Sequence, residues 1–293
     1  MFTIPKGGTN HSAGERSESF ILRKEKVLNN LQRMSQKGEL IVLGSGTSQG
    51  VPVIGCYCSV CESADSRDNR TRSSVHIHFS ELSLQIDTGP DFRLQMLREK
   101  LTHIDAVLFT HEHQDHIAGL DDVRPIIFRV NKELSLYGQE RVLNRIKKAF
   151  HYAFETHPYP GAPCFATTTI EPGKSFNING IQITAIGLNH GSLPILGYRI
   201  GDVAYLTDVN DIPHEAEQQL NGLNYLILDA LHRKLHHSHF NLDQAISWAK
   251  RINAKHTYFI HMSHYMGKHE EVERELPQGI HLSYDGLRIP VNA

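Results

Sequence analysis

The order of apolar and polar positions divides the chain near residue 38. Residues 1–37 begin with a polar, glycine- and serine-rich stretch, and apolar residues then recur at helical spacing over 20–34. We therefore predict an N-terminal extension over 1–37, consisting of a tail and one peripheral helix. A single domain is expected over 38–293.

From residue 39 onward, short apolar or alternating runs typical of β-strands are separated by amphipathic helical segments. The pattern predicts strands over ELIVLG, SSVHIHF, LSLQID, DAVLFT, LSLYG, IQITAIGL, GYRI, VAYLTD, NYLILDA and HTYFI. It predicts helices over DFRLQMLREK, 213–221 and NLDQAISWAKRI, and a last helix before two short strands. Short strands mixed with helices in both halves predict an α/β fold, with two sheets packed face to face and helices outside.

Composition and charge argue against several classes of protein. The formal net charge of −2 and a pI near 6.9 provide no basic field of the kind that nucleic acid or anionic membranes require. No apolar run approaches the roughly 20 residues of a membrane span. The N-terminus also lacks the apolar core of a secretory signal. We therefore expect a cytoplasmic protein, in which cysteines stay reduced.

Four residues of metal-binding type fall within six positions of the segment THEHQDH. Because alternate residues of a strand point the same way, His111 and His113 can reach one metal ion. Asp115 and His116 can reach a second ion beside it. Three further candidates, each at the end of a predicted strand, are His190, Asp208 and His261. Seven ligands at one edge of a sheet core predict a dinuclear metal site.

The charge of such a site favours one class of substrate. Two divalent ions, two aspartates and a bridging hydroxide together leave a charge near +1, which suits a phosphodiester monoanion. Metal-bound water becomes a nucleophile near neutral pH, and two ions can hold both the attacking and the departing oxygen. Hydrolysis is therefore the expected reaction.

The order and spacing of these ligands resemble the metallo-β-lactamase superfamily over about residues 38–293. The resemblance implies an αββα sandwich with two mixed sheets and two divalent ions, Mn²⁺ or Zn²⁺, at one edge. It assigns His111, His113 and His190 to one ion, Asp115, His116 and His261 to the other, and Asp208 to both.

Three of the four cysteines lie in the segment GCYCSVC, at positions 56, 58 and 61. The spacing is too tight for a disulfide framework, and CSVC lacks the strand-then-helix context of a redox motif. Structural zinc is often held by three cysteines and one histidine. The candidates for a fourth ligand are Cys164, His157 and His264. The residues favour a histidine, and His264 lies three positions after His261.

Four segments together resemble a narrower subgroup, the cyclic-phosphate phosphodiesterases of the carbon–phosphorus lyase (phosphonate) pathway. They are GTSQGVPVIGCYCSVC, IDTGPDFR, FTHEHQDHIAGLDDVR and FIHMSH. This resemblance implies one structural Zn²⁺ held by Cys56, Cys58, Cys61 and His264. It also implies that His239, just before a helix, lies near the scissile phosphate and acts as the catalytic acid. Asp115 and His239 are the two residues predicted to be catalytic. A homodimer is expected by analogy with the family alone.

We therefore predict a metal-dependent phosphodiesterase that hydrolyses a small cyclic or nucleotide-like phosphodiester with a metal-bridging hydroxide. A tRNA 3′-processing nuclease of the RNase Z type shares the metal ligands, but it should carry a long basic substrate arm, which this sequence lacks. Hydrolysis of a β-lactam, a lactone or a thioester stays open because metal ligands alone do not choose the substrate. A zinc-stabilised binding module with a vestigial site is a further alternative.

Three smaller expectations complete the sequence analysis. The alternative for His239 is that it has no catalytic role and only belongs to a surface cluster with His232, His236 and His237. The stretch 120–190 is longer than in the phosphonate enzymes and is expected to shape the rim of the pocket. The arginines of SRDNRTR, at positions 67, 70 and 72, are expected to form a solvated loop face.

Overall fold

The computed structural model describes residues 1, 3 and 36–293. The tail and peripheral helix predicted over 1–37 therefore lie almost wholly outside the described residues. The fold described below is that of the compact unit Lys37–Ala293. No helix among the described residues is long and apolar enough to cross a membrane. The cytoplasmic location stays a prediction.

One seven-stranded sheet is formed mainly by the first half of this unit. Its strands are β1 (Lys37–Gly44), β2 (Ser74–Phe79), β3 (Leu82–Ile86), β4 (Ala106–Leu108), β5 (Leu134–Gly138), β6 (Phe165–Thr169) and β14 (Arg288–Asn292). The spatial order is β14-β1-β2-β3-β4-β5-β6. The pairs from β14 to β3 are antiparallel, and those from β3 to β6 are parallel.

The second half forms another seven-stranded sheet. Its strands are β7 (Ser175–Ile178), β8 (Ile181–His190), β9 (Leu193–Ile200), β10 (Val203–Leu206), β11 (Tyr225–Asp229), β12 (His256–Ile260) and β13 (Ile280–Leu282). The spatial order is β13-β12-β11-β10-β9-β8-β7. The pairs from β13 to β10 are parallel, and those from β10 to β7 are antiparallel.

Seven α-helices accompany the two sheets in the described residues. They are α1 (Phe92–Arg98), α2 (Gln114–Ile117), α3 (Arg124–Val130), α4 (Glu140–Ala149), α5 (His214–Gln218), α6 (Leu242–Ile252) and α7 (His269–Glu275).

The local sequence determines where α6 begins. Asn241 accepts from the Gln244 backbone N–H at 2.9 Å, and the Gln244 side chain accepts from the Asn241 N–H at 3.1 Å, which completes a capping box.

Three buried clusters explain the layering. One cluster joins the inner faces of the two sheets, where alternate residues such as Leu84 on β3 and Ile183 on β8 pack together. The other two lie between each sheet and its helices. The predicted α/β sandwich with helices on the outer faces is therefore confirmed.

Two strands and two helices of the 120–190 stretch were not predicted. The strands β6 and β7 stand at the outer ends of the sheet orders, and both are partly exposed. Their sequences, FATTT and SFNI, lack a clear alternation of apolar and polar positions. In α4 the buried residues Val142, Leu143 and Ile146 form one face, but long polar side chains obscure that periodicity in the sequence.

A buried hydrogen bond joins the two sheets close to the histidine-rich segment. The hydroxyl of Tyr198 on β9 donates to the backbone oxygen of Phe109 at 2.7 Å. The backbone N–H of Leu196 donates to the Thr110 oxygen at 3.0 Å. Because Thr110 directly precedes His111, these two bonds set the position of the segment relative to the second sheet.

We expect Tyr198→Phe to lower the free energy of unfolding by about 1–2 kcal/mol, because the Phe109 carbonyl loses a buried partner. Tyr205→Phe is the matched control: Tyr205 is equally buried, and its hydroxyl has no hydrogen-bond partner among the described residues. Urea unfolding monitored by circular dichroism measures both variants. Equal losses in the two variants would contradict the linking role of Tyr198.

Candidate metal centre

Polar side chains converge where strands of both sheets end. They are Asp87 after β3, His111 and His113 after β4, His190 at the end of β8, Asp208 after β10, Asp229 at the end of β11, and His261 after β12. Asp87, Asp208 and His261 have positive φ angles of 60°, 58° and 63°. Residues with side chains seldom adopt this left-handed conformation, and functional sites are one of the places where it occurs.

The first donor group consists of His111, His113 and His190, which offer ligand atoms within 4.8 Å of one another. His111 Nε2 lies 2.9 Å from His113 Nδ1. On their other nitrogens, His111 Nδ1 lies 3.0 Å from the Thr110 hydroxyl, and His190 Nδ1 donates to the Ser238 backbone oxygen at 2.7 Å. These outer contacts fix the orientation of the rings and leave Nε2 of His111 and His190 available as ligands.

The second donor group consists of Asp115, His116, Asp208 and His261, again within 4.8 Å of one another. His116 Nε2 lies 3.2 Å from Asp115 Oδ2 and 3.3 Å from Asp208 Oδ2. His261 Nε2 lies 3.1 Å from Asp208 Oδ1. Asp208 also lies within 4.8 Å of His190, a member of the first group. The Asp208 carboxylate therefore stands between the two groups.

The contacts within the second group are more typical of side chains that share a metal ion than of hydrogen bonds. His116 Nε2 and His261 Nε2 are buried, and neither has a hydrogen-bond partner among the described residues, although carboxylate oxygens lie within 3.3 Å. Buried polar atoms normally have a bonding partner. The two Nε2 atoms therefore require a partner that the protein does not provide, such as a metal ion. Imidazole and carboxylate donors together suit divalent ions such as Zn²⁺ and Mn²⁺. The residues therefore fit a metal centre.

The electrostatics of the cluster also favour cations. Burial raises the pKa of Asp208, but the neighbouring His261 and His116 outweigh this effect and hold the pKa well below its usual range. Burial lowers the pKa of His261, but Asp208 and Asp115 outweigh it and raise the pKa to about 10. The carboxylates thus stabilise positive charge at the second group. In the first group burial lowers the pKa of His111, which keeps this ring neutral and able to bind metal.

Asp87 is a site residue to which the sequence analysis assigned no role. Its carboxylate accepts from His116 Nδ1 at 2.7 Å, and from the backbone N–H and hydroxyl of Thr110 at 2.9 and 2.8 Å. Asp87 is fully buried, and burial raises its pKa. A carboxylate on the outer nitrogen of a histidine orients the ring and makes it a stronger ligand. The available signal was its place as the last residue of the predicted strand LSLQID.

Asp229 plays a similar part beside His239 and was also missed, although it is the second-to-last residue of the predicted strand NYLILDA. Asp229 Oδ1 lies 3.2 Å from His239 Nδ1, and the Phe240 N–H donates to its other oxygen at 3.1 Å. The His239 ring lies 4.6 Å from that of His190 and 4.7 Å from that of His261, between centroids. His239 is buried and borders both donor groups, unlike a member of a purely surface cluster.

The three clustered cysteines and His264 come together in a separate group, here called the cysteine clamp. Their sulfur atoms lie 3.3, 3.4 and 3.5 Å from His264 Nδ1, for Cys56, Cys58 and Cys61 in turn. A tetrahedral zinc with bonds of about 2.3 Å to sulfur and about 2.0 Å to nitrogen separates such ligand atoms by about 3.5 Å. The backbone N–H of Cys61 is the main cause that lowers the pKa of Cys58 to about 6, which favours a thiolate. The clamp therefore fits zinc.

The other candidates for the fourth ligand lie elsewhere. Cys164 is exposed, and its thiol donates to Glu133 Oε1 at 3.1 Å. His157 is exposed in the loop before β6. In the part of the chain that the structure describes, the group of potential ligands that contains the three clustered cysteines includes His264 and neither of these two residues.

The expectation of a solvated arginine face is wrong for Arg70. Its side chain is 1% exposed, lies 3.3 Å from the Asp68 carboxylate and donates to Met262 Sδ at 3.0 Å. Met262 follows the ligand His261, so this buried pair supports the backbone of the site. The sequence does not reveal the burial, because charged residues dominate the whole segment.

A profile of the Beta-lactamase superfamily domain matches residues 84–262, which include every member of the two donor groups. The chain therefore belongs to the metallo-β-lactamase superfamily. A solved structure described as a new diphosphatase from the PhnP family is 42% identical, with a TM-score of 0.83 over 88% of this chain and 99% of that one. Within the superfamily, the chain belongs to the PhnP family.

Other relatives show how widely the fold is used. A curated octanoyltransferase from Porphyromonas gingivalis is 43% identical over 84% of this chain, which corresponds to 50% of that protein. Zn²⁺-bound PqqB from Methylobacterium extorquens shares the fold at 20% identity, with a TM-score of 0.73 over 86% of this chain and all of that one. The chain spans half or less of the length of the first curated relatives that it matches.

We expect Cys58→Ser to lose about one zinc ion per chain and to lower the melting temperature, because serine is a poor zinc ligand. Cys164→Ser is the control, since this exposed cysteine lies outside the clamp. Elemental analysis and thermal unfolding measure both effects. Full zinc content in Cys58→Ser would contradict the role of the clamp.

Proposed function

We propose that the chain is a metal-dependent phosphodiesterase that cleaves a small cyclic or nucleotide-like phosphodiester. One observation carries the proposal: two groups of donors lie side by side, and Asp208 is within 4.8 Å of members of both. Paired metal sites are used where both the attacking and the departing oxygen of a displacement at phosphorus must be stabilised. The likeness to a PhnP-family diphosphatase supports chemistry at phosphorus.

The proposed centre uses all seven ligands predicted from the sequence. When bound, two divalent ions, Mn²⁺ or Zn²⁺, polarise the phosphoryl oxygens and activate water for attack. We assign His111, His113 and His190 to one ion, Asp115, His116 and His261 to the other, and Asp208 to both. A structural Zn²⁺ is assigned to Cys56, Cys58, Cys61 and His264.

The side chains of the chain set the charge of the site and move the proton. Asp115 and Asp208 contribute two negative charges, which leaves a loaded site positive and attractive to a phosphodiester anion. Asp229 holds Nδ1 of His239, so that Nε2 remains free to face the substrate. His239 gives the proton on Nε2 to the departing oxygen as its bond to phosphorus breaks. Water supplies the new oxygen on phosphorus, and the reaction yields an alcohol and a phosphomonoester, which remain in one molecule when the substrate is cyclic.

Cleavage of a diphosphate linkage is a second candidate, favoured by the description of the PhnP-family relative as a diphosphatase. A phosphate leaving group needs protonation less than an alkoxide does, so the two reactions depend differently on His239. This chain matches only 50% of the octanoyltransferase. The name of that whole protein therefore does not tell which activity the matching half has.

The test of the proposal is hydrolysis of bis(p-nitrophenyl) phosphate by the metal-loaded chain. We expect His111→Ala to lose metal from the first group and to reduce the rate by at least about 100-fold, with the fold retained. Circular dichroism checks the fold, and elemental analysis checks the metal content. An unchanged rate in His111→Ala would eliminate the proposed centre. Thioester and lactone substrates tested in parallel separate the alternative hydrolase reactions.

The role of His239 predicts a dependence on the leaving group. We expect His239→Ala to slow hydrolysis of 2′,3′-cyclic nucleotides by about 10²–10⁴-fold, because an alkoxide leaves poorly without a proton. The same variant should slow bis(p-nitrophenyl) phosphate much less, since p-nitrophenolate leaves without one. His237→Ala, at an exposed neighbour, is the control. Equal losses on both substrates would remove the acid role.

A further inference from the structure

The loop that joins β11 to α6, residues 230–241, carries His239 to the metal centre. Among the described residues, positions 234–239 of this loop make no backbone–backbone hydrogen bond. Backbone groups without such partners take them from side chains or from water. The position of His239 therefore depends on the side chains that reach this loop.

Two neighbouring segments donate side-chain hydrogen bonds to consecutive carbonyl groups of the loop. His190 Nδ1 donates to the Ser238 oxygen at 2.7 Å, and Asn210 Nδ2 donates to the His237 oxygen at 3.2 Å. His190 is already assigned to the metal centre as a ligand. Asn210 belongs to neither donor group, so its contact with the loop points to a separate role.

Asn210 also contacts the turn that follows His190. Its Oδ1 accepts from the Gly191 backbone N–H at 2.6 Å. Gly191 has a positive φ of 61°, and a Cβ atom in its place would lie 3.4 Å from the Cβ atom of Ser238. The turn after His190 thus packs closely against the loop of His239, and Asn210 joins the two.

The backbone of Asn210 is anchored beside the proposed ligands. It lies two residues after Asp208, and its N–H donates to the backbone oxygen of Asn189 at 3.0 Å. Asn189 directly precedes His190. The half-buried side chain of Asn210 therefore extends from a fixed point toward both the turn and the loop.

The two contacts require an amide side chain. A backbone N–H can only donate and a backbone carbonyl can only accept, so the oxygen of Asn210 must face Gly191 and its nitrogen must face His237. An aspartate of the same shape could accept from Gly191, but it has no donor for His237. The residue type at this position therefore decides whether the loop is held.

We propose that Asn210 is a positioning residue that holds the loop of His239 against the metal centre and so sets the place of the proton donor. Ligand-type atoms of His190, Asp208 and His239 lie within 4.8 Å of one another, so the loop meets the centre at this point. Small displacements of a catalytic group reduce the rate strongly. The positioning role rests on the acid role proposed for His239, whereas the fixation of the loop does not.

Asn210→Asp tests the bond to His237 alone, because a carboxylate keeps an acceptor for Gly191 and offers no donor. We expect amide exchange within 231–241, where the Phe240 N–H is hydrogen-bonded, to become about 2–10-fold faster in the metal-loaded chain. Hydrogen–deuterium exchange with mass spectrometry measures this change. The metal content should equal that of the wild type, because the proposed ligands are unchanged.

The leaving-group dependence tests whether Asn210 acts through His239. We expect Asn210→Asp to slow hydrolysis of 2′,3′-cyclic nucleotides about tenfold more than that of bis(p-nitrophenyl) phosphate. Both substrates are monoanions, so the added negative charge affects them alike and cancels in the ratio of the two rates. The double variant Asn210→Asp/His239→Ala should show the same ratio as His239→Ala, because the side chain that Asn210 positions is already absent.

Asn221→Asp is the matched control. Asn221 Nδ2 donates to the Gln218 backbone oxygen at 2.9 Å, so the substitution removes the same kind of bond. Arg199 donates to the backbone oxygens of both Asn221 and Gly201, which places Asn221 beside the β9–β10 turn, at the opposite end of β10 from Asp208. This variant should change neither the exchange of the loop nor the ratio of rates.

If Asn210→Asp does not fold, Asn210→Ala replaces it, with the same expected changes in loop exchange and in the ratio. Unchanged loop exchange would overturn the fixation of the loop. Faster exchange with an unchanged ratio, equal changes in Asn221→Asp, or a further change of the ratio in the double variant would overturn the positioning role. If His239→Ala itself leaves the ratio unchanged, the acid role of His239 fails and the positioning role with it, while loop exchange still decides the fixation.

Discussion

Four aspartates, at positions 87, 115, 208 and 229, crowd around one edge of the two sheets, and this accumulation of buried negative charge governs the structure. Asp87 and Asp229 are fully buried, and Asp208 is 2% exposed. Unpaired carboxylates in such a setting are strongly unfavourable, and only part of their charge can be offset by histidines. His111 does not contribute, because burial keeps its ring neutral. Divalent ions bound by the proposed centre would be the natural counter-charge for these carboxylates.

The αββα sandwich brings the four aspartates and the histidines together because strands of both sheets end at the same edge. Asp87 and Asp208 leave their strands in left-handed conformations, which turns each chain sharply into the site. The hydrogen bond from Tyr198 to the Phe109 backbone oxygen joins the sheets two residues before the first ligand, His111. The outer carboxylates Asp87 and Asp229 then fix the histidines. The same architecture serves proteins with very different curated names, so the family alone does not determine the substrate.

Features that depend on neighbouring residues could be predicted from the sequence, whereas features that depend on contacts between distant parts of the chain could not. The segment THEHQDH and the strand-end ligands could be found because strand periodicity and ligand chemistry are both local. Asp87 and Asp229 carry the same kind of signal, but their roles depend on which histidine they face, and that is set by packing. Arg70 was misjudged because its burial depends on a contact with Met262, which is remote in sequence.

The central claim is that Asp208 joins two metal sites that are independent of the cysteine clamp. Metal content per chain, measured after loading with Mn²⁺ and Zn²⁺ and removal of loosely bound ions, tests it most directly. The account predicts three ions for the wild type and only the clamp zinc for Asp208→Asn, with the folded circular dichroism spectrum preserved. A wild type that binds one ion, or an Asp208→Asn variant that keeps three, would contradict it.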